Sequence, residues 1–438
     1  MSIKSRLIQT TGPATLRLLR FVDRLVNGSH SGVDAADMRR DPYAEYKLLR
    51  LNGPVLRSYA NRGWIILGFE QVQAVFKDSR FISDLRKNKF IVNVIRAAAD
   101  GRKVPILDEP SMLNLDAPDH TRLRKLVARG FLHKYIQSLE PAISTIVDKC
   151  LDGIDLTADK FDLVDQLAKP LPAIVIAEML GLPEKDRVQF QKWSNDLLGL
   201  TMLDDPEMIA LATIANVELV EYFKQIIEQK RQSPGQDLIT QLIAAEEEGD
   251  RLTAHEMYAT CVLLLTAGHE TTTRLISNGM CALLQHPEQL AMLQRDPSLT
   301  PNAVEEMLRY EPPVQFMPRI AAQDIDFYGN KIKKNQLLLV SIASANRDEF
   351  ANPDPDTFDI TRESVQHVSF GHGIHLCLGL SLARLEAKVA INALLQRYPN
   401  MTLTPQTIDW SSNQFVRGMA HLYVDTNVAA QVLLAARA

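Results

Sequence analysis

The segment Phe370-Gly371-His372-Gly373-Ile374-His375-Leu376-Cys377-Leu378-Gly379 decides the reading of this chain. A single cysteine sits between glycine turns and is followed at once by a helical pattern. Backbone N–H groups of the turn and the positive end of the next helix both favour a charged sulfur. A thiolate of lowered pKa is the form that ligates a metal. The plainer alternative, a buried inert cysteine after a glycine-rich loop, leaves the ten-residue spacing unexplained.

The segment resembles the haem-ligand loop of the cytochrome P-450 superfamily, F-x-x-G-x-R/H-x-C-x-G, with His375 at the Arg/His position. That resemblance implies haem b as cofactor, Cys377 as the iron ligand, and Phe370 and Gly371 in the surrounding loop. A cysteine thiolate on haem iron pushes electron density toward oxygen and favours O–O cleavage. Gly379 would let the backbone approach the flat macrocycle where a side chain would collide.

The bulk properties agree with a large globular protein. The chain has 438 residues, 46% hydrophobic and 23% charged, with a net charge of −5. Nothing global points to nucleic acid. Cys150, Cys261, Cys281 and Cys377 lie far apart with no C-x-x-C pair. That excludes a zinc ribbon and fits a reducing compartment, so the expected location is cytoplasmic. No apolar run approaches the ~18 residues of a membrane span.

The N-terminal stretch is less bland. Within residues 13–27, Leu16, Leu19, Val22 and Val26 fall at helical spacing, and Arg17, Arg20 and Arg24 recur on another face. A basic amphipathic helix can lie on an anionic membrane, and a basic leader can be a transit peptide. The expectation favoured by so short a stripe without tryptophan is a helix packing its apolar side on the body of the protein.

Residues 1–40 therefore read as a leader and 41–438 as a single domain. A hairpin is expected where Val55–Tyr59 and Trp64–Leu67 flank Asn61-Arg62-Gly63. Residues 117–285 read mostly as helix. Strands follow near Ile325–Ile342 with a turn at Gly329-Asn330, and near His421–Val424. Many helices with a few hairpins give a mainly α fold with small β-sheets. The resemblance implies the triangular helical prism of that family, with haem between a long distal helix and the cysteine loop.

The longest helical pattern runs from Thr253 to about Leu284, with Thr253 and Glu256 in capping-box register. In its middle lies Ala267-Gly268-His269-Glu270-Thr271-Thr272, in which Leu264, Gly268 and Thr271 share one face. This is similar to the family's A-G-x-D/E-T motif. The match implies that Gly268 thins the helix over the haem, that Thr271 hydrogen-bonds dioxygen, and that Glu270 feeds protons toward it. Read from the residues alone, Glu270 could instead form a surface i,i+4 pair with Arg274. A zinc-protease reading of His269-Glu270 or His255-Glu256 fails, because Thr273 and Ala259 stand where the second histidine is needed.

Thr300-Pro301 marks the start of another helix and Pro312-Pro313 its end. Glu306 and Arg309 inside it match the family's E-x-x-R pair, which anchors the cysteine loop. The family's third partner precedes a phenylalanine; here that position, before Phe358, is Thr357, with Arg362 nearby. Buried propionates require cationic or hydrogen-bonding partners. By resemblance these are His120, Arg124, Arg319 and His375.

Substrate lining is expected from residues 86–113, 195–215, 264–271, 314–317 and 415–419. The identifiable liners are Leu264, Val314, Phe316, Met317, Phe415 and Val416, which suit a terpene, steroid, fatty acid or polyketide. The implied activity is a monooxygenase using dioxygen and two external electrons, supplied by a ferredoxin and its reductase. Arg122, Lys125, Arg129, Lys134, Arg384 and Lys388 are the expected cations of the docking face. A peroxide-driven peroxygenase would share the fold but alter the acid–alcohol pair. A non-catalytic haem sensor would not need Glu270 and Thr271.

Overall fold

The computed structural model describes residues 22–23, 26–27, 40–98, 104–108, 111–155, 160–197, 206–247, 252–411, 413 and 415–427. The longer helices are α1 (Pro42–Leu51), α2 (Phe69–Lys77), α3 (Lys89–Ala98), α4 (Asp119–Val127), α5 (Glu140–Asp152), α6 (Pro170–Leu180) and α7 (Arg187–Leu197). They continue as α8 (Pro206–Gln232), α9 (Leu238–Glu247), α10 (Ala254–Gln285), α11 (Pro287–Arg295), α12 (Thr300–Tyr310) and α13 (Leu380–Arg397). The molecule is mainly helical with small sheets, as expected.

One sheet has five strands in the order β1 (Val55–Ser58), β2 (Gly63–Ile66), β8 (Leu337–Ser341), β5 (Phe316–Ala321), β3 (Phe81–Ile82). Only β2 and β8 run parallel in it; the other neighbours are antiparallel. The hairpin of β6 (Ile325–Phe327) and β7 (Asn330–Ile332) turns at Tyr328 and Gly329, both at positive φ, one residue before the expected place. Thr300 lies inside α12 rather than capping it; its hydroxyl donates to Pro297 O at 2.7 Å.

The 32-residue helix α10 carries the core. Its start is the expected capping box: Glu256 N–H donates to Thr253 Oγ1 (3.2 Å), and Thr253 N–H donates to the Glu256 carboxylate (2.8 Å). Two such reciprocal bonds satisfy donors that a helix start otherwise leaves open. Leu275, Ile276 and Met280 pack with Met307 of α12 and Leu394 of α13 in one apolar cluster. Gly279 is the close-approach point, since a Cβ there would lie 2.5 Å from the Met307 sulfur.

The expectation that the N-terminal helix packs its apolar stripe inward is not what the described part shows. Val22, Asp23, Val26 and Asn27 are helical, but the inward residues are polar. Asp23 is fully buried and accepts from Tyr59 N–H (2.7 Å) and Ala60 N–H (3.0 Å), while Asn27 donates to Arg57 O (2.9 Å). The reason is local: the turn after β1 presents backbone donors that must find acceptors. Val26 is 57% exposed. Leu16 and Leu19 lie outside the described residues, and none of the described helices is long and apolar enough to cross a membrane.

Candidate active site

The cysteine loop is fixed from both ends. Cys377 N–H donates to Phe370 O at 2.8 Å, and Gly371 N–H to Val368 O at 2.8 Å. Gly371 and Gly373 adopt positive φ (+71° and +70°). At Gly373 a Cβ would also lie 2.3 Å from Phe76 O, so the loop seats directly on the end of α2. Gly379 differs: nothing lies within 4 Å of where its Cβ would be. The sulfur receives the Gly379 N–H, and Arg124 and Arg384 act on it electrostatically. Even so, burial outweighs these and pushes the thiol above its ordinary value in the bare chain, contrary to the expected lowering. A coordinated metal reverses that balance, because it deprotonates its thiol ligand outright.

Beside the loop, His120 and His375 meet with ring centroids 4.2 Å apart. His120 is 1% exposed, and both its ring nitrogens lack a partner. Burial, then the neighbouring His375 and Arg124, lowers its pKa to about 4. His375 Nε2 lies 3.1 Å from Ser83 Oγ. Arg124 donates to Leu376 O. Arg319, on β5, is 4% exposed with its guanidinium over the Phe76 ring; burial lowers its pKa to about 10.

Asp116 was missed by sequence reasoning. It accepts from Ser83 N–H (2.9 Å) and Asp84 N–H (3.2 Å), lies 3.9 Å from His375, and acts on Arg319. Its place four residues before His120, just ahead of α4, was the available signal. A neutral buried imidazole with two unused nitrogens, a nearly unpartnered buried arginine and an open space over Gly379 together suit an iron porphyrin with two propionates.

On α10, Thr271 Oγ1 donates to Ala267 O at 2.7 Å and the side chain is open to solvent-accessible space. Glu270 is 3% exposed and forms an ion pair with Arg274. The i,i+4 pair therefore exists, but buried rather than on the surface. Gly268 does not face an open ligand space: its Cβ would point to Ile176 of α6, at 3.4 Å. Its role visible here is helix packing. His269, also unassigned from sequence, approaches Ser194 of α7 at 3.1 Å.

The anchor under the loop is a triad. Arg309 donates to both Glu306 oxygens (2.6 and 2.7 Å), and Arg362 Nε reaches Glu306 Oε1 at 3.1 Å. Arg362 is thus the third member, and Thr357 contributes only its carbonyl, which accepts from both arginines. Nearby, Glu305 forks onto Arg384 of α13 (2.6 and 2.7 Å).

The apolar candidates divide. Phe316 is 1% exposed and packs edge-on to Tyr46 and Phe415, in the core rather than at an open surface. Leu264 belongs to a core cluster too, Met317 packs against another, and Val314 bridges Val416. Parts of 86–113 and 195–215 fall outside the described residues. Of the expected docking cations, Arg122 pairs with Glu256, Arg384 with Glu305 and Lys388 with Glu140. Their charges are largely offset locally, so the cationic face is weaker than the sequence count suggested.

Comparison with known proteins gives the family. The family model "Cytochrome P450" matches residues 65–420. The cytochrome P450 monooxygenase PikC of Streptomyces venezuelae is 41% identical over 399 residues, 89% of this chain and 92% of that protein. The vitamin D(3) 25-hydroxylase of Pseudonocardia autotrophica is 38% identical over 88% of this chain and 94% of its own. The structure of P450BioI in complex with hexadec-9Z-enoic acid ligated acyl carrier protein superposes with a TM-score of 0.81 at 36% identity. It covers 89% of this chain and 100% of its own. The chain belongs to the cytochrome P450 family, as a bacterial-type haem-dependent monooxygenase that acts on hydrophobic small molecules.

Proposed function

We propose that this enzyme uses haem b, whose iron the Cys377 sulfur would hold, and that residues 41–438 form one catalytic unit in the cytoplasm. When bound, haem supplies the redox chemistry of oxygen activation. The observation that best supports the assignment is the pairing of a loop-held Cys377 with open space over Gly379 and an unpartnered buried His120. His120, Arg124, Arg319 and His375 would hold the propionates, and Phe370 and Gly371 shape the loop. Phe370 also lies under the Arg384 guanidinium at 4.5 Å, which ties the loop to α13.

The overall reaction takes a C–H or C=C bond, dioxygen, two electrons and two protons to an alcohol or an epoxide and water. A ferredoxin with its reductase supplies the electrons. The chain's own part is to manage the protons. The Thr271 hydroxyl turns from Ala267 O to donate to dioxygen, and Glu270 replenishes the proton. The substrate is a hydrophobic molecule of the polyketide, steroid, terpene or fatty-acid class. This reading is supported by the apolar character of Leu264, Val314, Met317 and Phe415, and by the relatives' activities.

Thr271→Ala tests the proton assignment. The variant is expected to bind haem normally but divert reducing equivalents to hydrogen peroxide in place of product. Coupling equal to wild type would remove Thr271 from the mechanism. Product formation driven by peroxide alone, at the rate supported by dioxygen and electrons, would favour the peroxygenase reading.

A further inference from the structure

Four successive residues of α10, from Gly268 to Thr271, point to four sides of the helix. Three of those sides are fastened. Gly268 lies against Ile176 of α6. Glu270 pairs with Arg274, which donates in turn to Met419 O. His269 turns toward α7, where its Nδ1 lies 3.1 Å from the Ser194 hydroxyl, and both residues are buried. Only Thr271, bonded to Ala267 O, is left on the open side.

The Ser194–His269 bond sits in an apolar contact. Phe190, Trp193 and Leu197 of α7 share a core cluster with Leu264 and Leu265 of α10. Burial keeps the ring below the usual imidazole range and so neutral, which leaves Nδ1 able to accept the hydroxyl proton. Its other nitrogen closes no hydrogen bond among the described residues, with the Lys169 backbone acting on the ring from the start of α6. An aliphatic side chain would fill such a seam without desolvating a ring. What the histidine adds is direction, because apolar packing tolerates a slight rotation and a hydrogen bond weakens steeply off its axis. A rotation of about 15° would move a hydroxyl about 4 Å from the helix axis by about 1 Å. A displacement of that size near reacting groups can cost on the order of 10²-fold.

We propose that Ser194 and His269 form a positioning pair that sets the rotation of the α10 turn carrying Glu270 and Thr271, and so their aim toward dioxygen. The pair transfers no proton itself. It rests on the assignment of proton delivery to Glu270 and Thr271, and acts through them from the side of the helix that faces α7.

The full-length holoenzyme without added substrate tests this, with electrons from a surrogate ferredoxin and its reductase. Dioxygen then ends as hydrogen peroxide, taking two electrons and two protons, or as water, taking four of each. Ser194→Ala and His269→Leu should each raise the peroxide-to-water ratio by about threefold or more, and the double variant no further, since bonded partners are not additive. His269→Asn, whose amide falls at the Nδ1 position, should keep the wild-type ratio. His269→Gln, whose amide falls at the Nε2 position, should not. The reduced carbon monoxide spectrum is the folding control and should stay that of wild type throughout. Independently of turnover, amide exchange at residues 267–272 should quicken in Ser194→Ala. A wild-type ratio in Ser194→Ala and His269→Leu, while Thr271→Ala raises it, overturns the proposal and leaves the proton assignment standing. So does amide exchange at 267–272 indifferent to Ser194→Ala. A ratio unmoved by Thr271→Ala removes the proton assignment, and this proposal with it.

Discussion

Arg274, one turn beyond Glu270 on α10, holds that carboxylate in a buried ion pair and also donates to Met419 O. Its seat depends on Gly418, where a Cβ would lie 1.9 Å from the arginine Cδ. The acid expected to relay protons therefore has its charge balanced by a residue of its own helix. Losing that partner while burial remains leaves an uncompensated buried charge.

Arg274→Ala should accordingly lower the share of electrons that ends in product, and Gly418→Ala should lower it the same way by displacing the guanidinium. Arg274→Lys should keep coupling near wild type, and Glu270→Gln should lower it through loss of the acid. Removing one partner of a buried pair costs about 3–5 kcal/mol, so the lysine variant is also the folding control. Coupling equal to wild type in all four variants would detach Glu270 from proton delivery.

The triad makes a contrast between neighbours. Arg362→Ala removes one Glu306 contact and the donors to Pro353 O, Asp354 O and Thr357 O, and should cost about 2 kcal/mol with faster haem loss. Thr357→Ala should be near neutral, because its part is played by its backbone carbonyl. Denaturant midpoints measure both. Equal effects would mean that the position before Phe358 still carries the anchor.

How far the sequence could be read follows from these cases. The α10 capping box and the Glu306–Arg309 pair were legible because each is set by spacing along one element. Arg362 was named only as a nearby candidate, since a loop's path decides which arginine reaches Glu306. Asp116 went unread because its bonds to Ser83 and Asp84 join segments about thirty residues apart. Gly268 was read toward the ligand although its missing Cβ faces α6, a direction that needs the neighbouring helix to be placed. At the N-terminus, periodicity located an apolar stripe but could not show the backbone donors that recruit Asp23 inward.

Glu305 gives a pH signature for the strut between α12 and α13. Burial alone would raise its carboxyl, but hydrogen bonds from Arg384 and His367 hold it at about 2. A carboxyl depressed in the fold contributes stability that is fully present above its unfolded value near 4.5 and is lost as pH falls toward 2. Glu305→Gln should be less stable than wild type by on the order of 2 kcal/mol at pH 7, discounted for its partial exposure. The gap should narrow as pH falls from 4.5 to 3 in denaturant titrations. A gap constant with pH would show that Glu305 stabilises by packing and not by charge.

Whether Cys377 ligates the iron is read from the spectrum of the reduced carbon monoxide complex. A strongly red-shifted Soret band is expected in the wild-type enzyme, from a thiolate opposite carbon monoxide, with loss of that band in Cys377→His even where haem is retained. A red-shifted band that survives Cys377→His would contradict the account, because a different residue would then hold the iron.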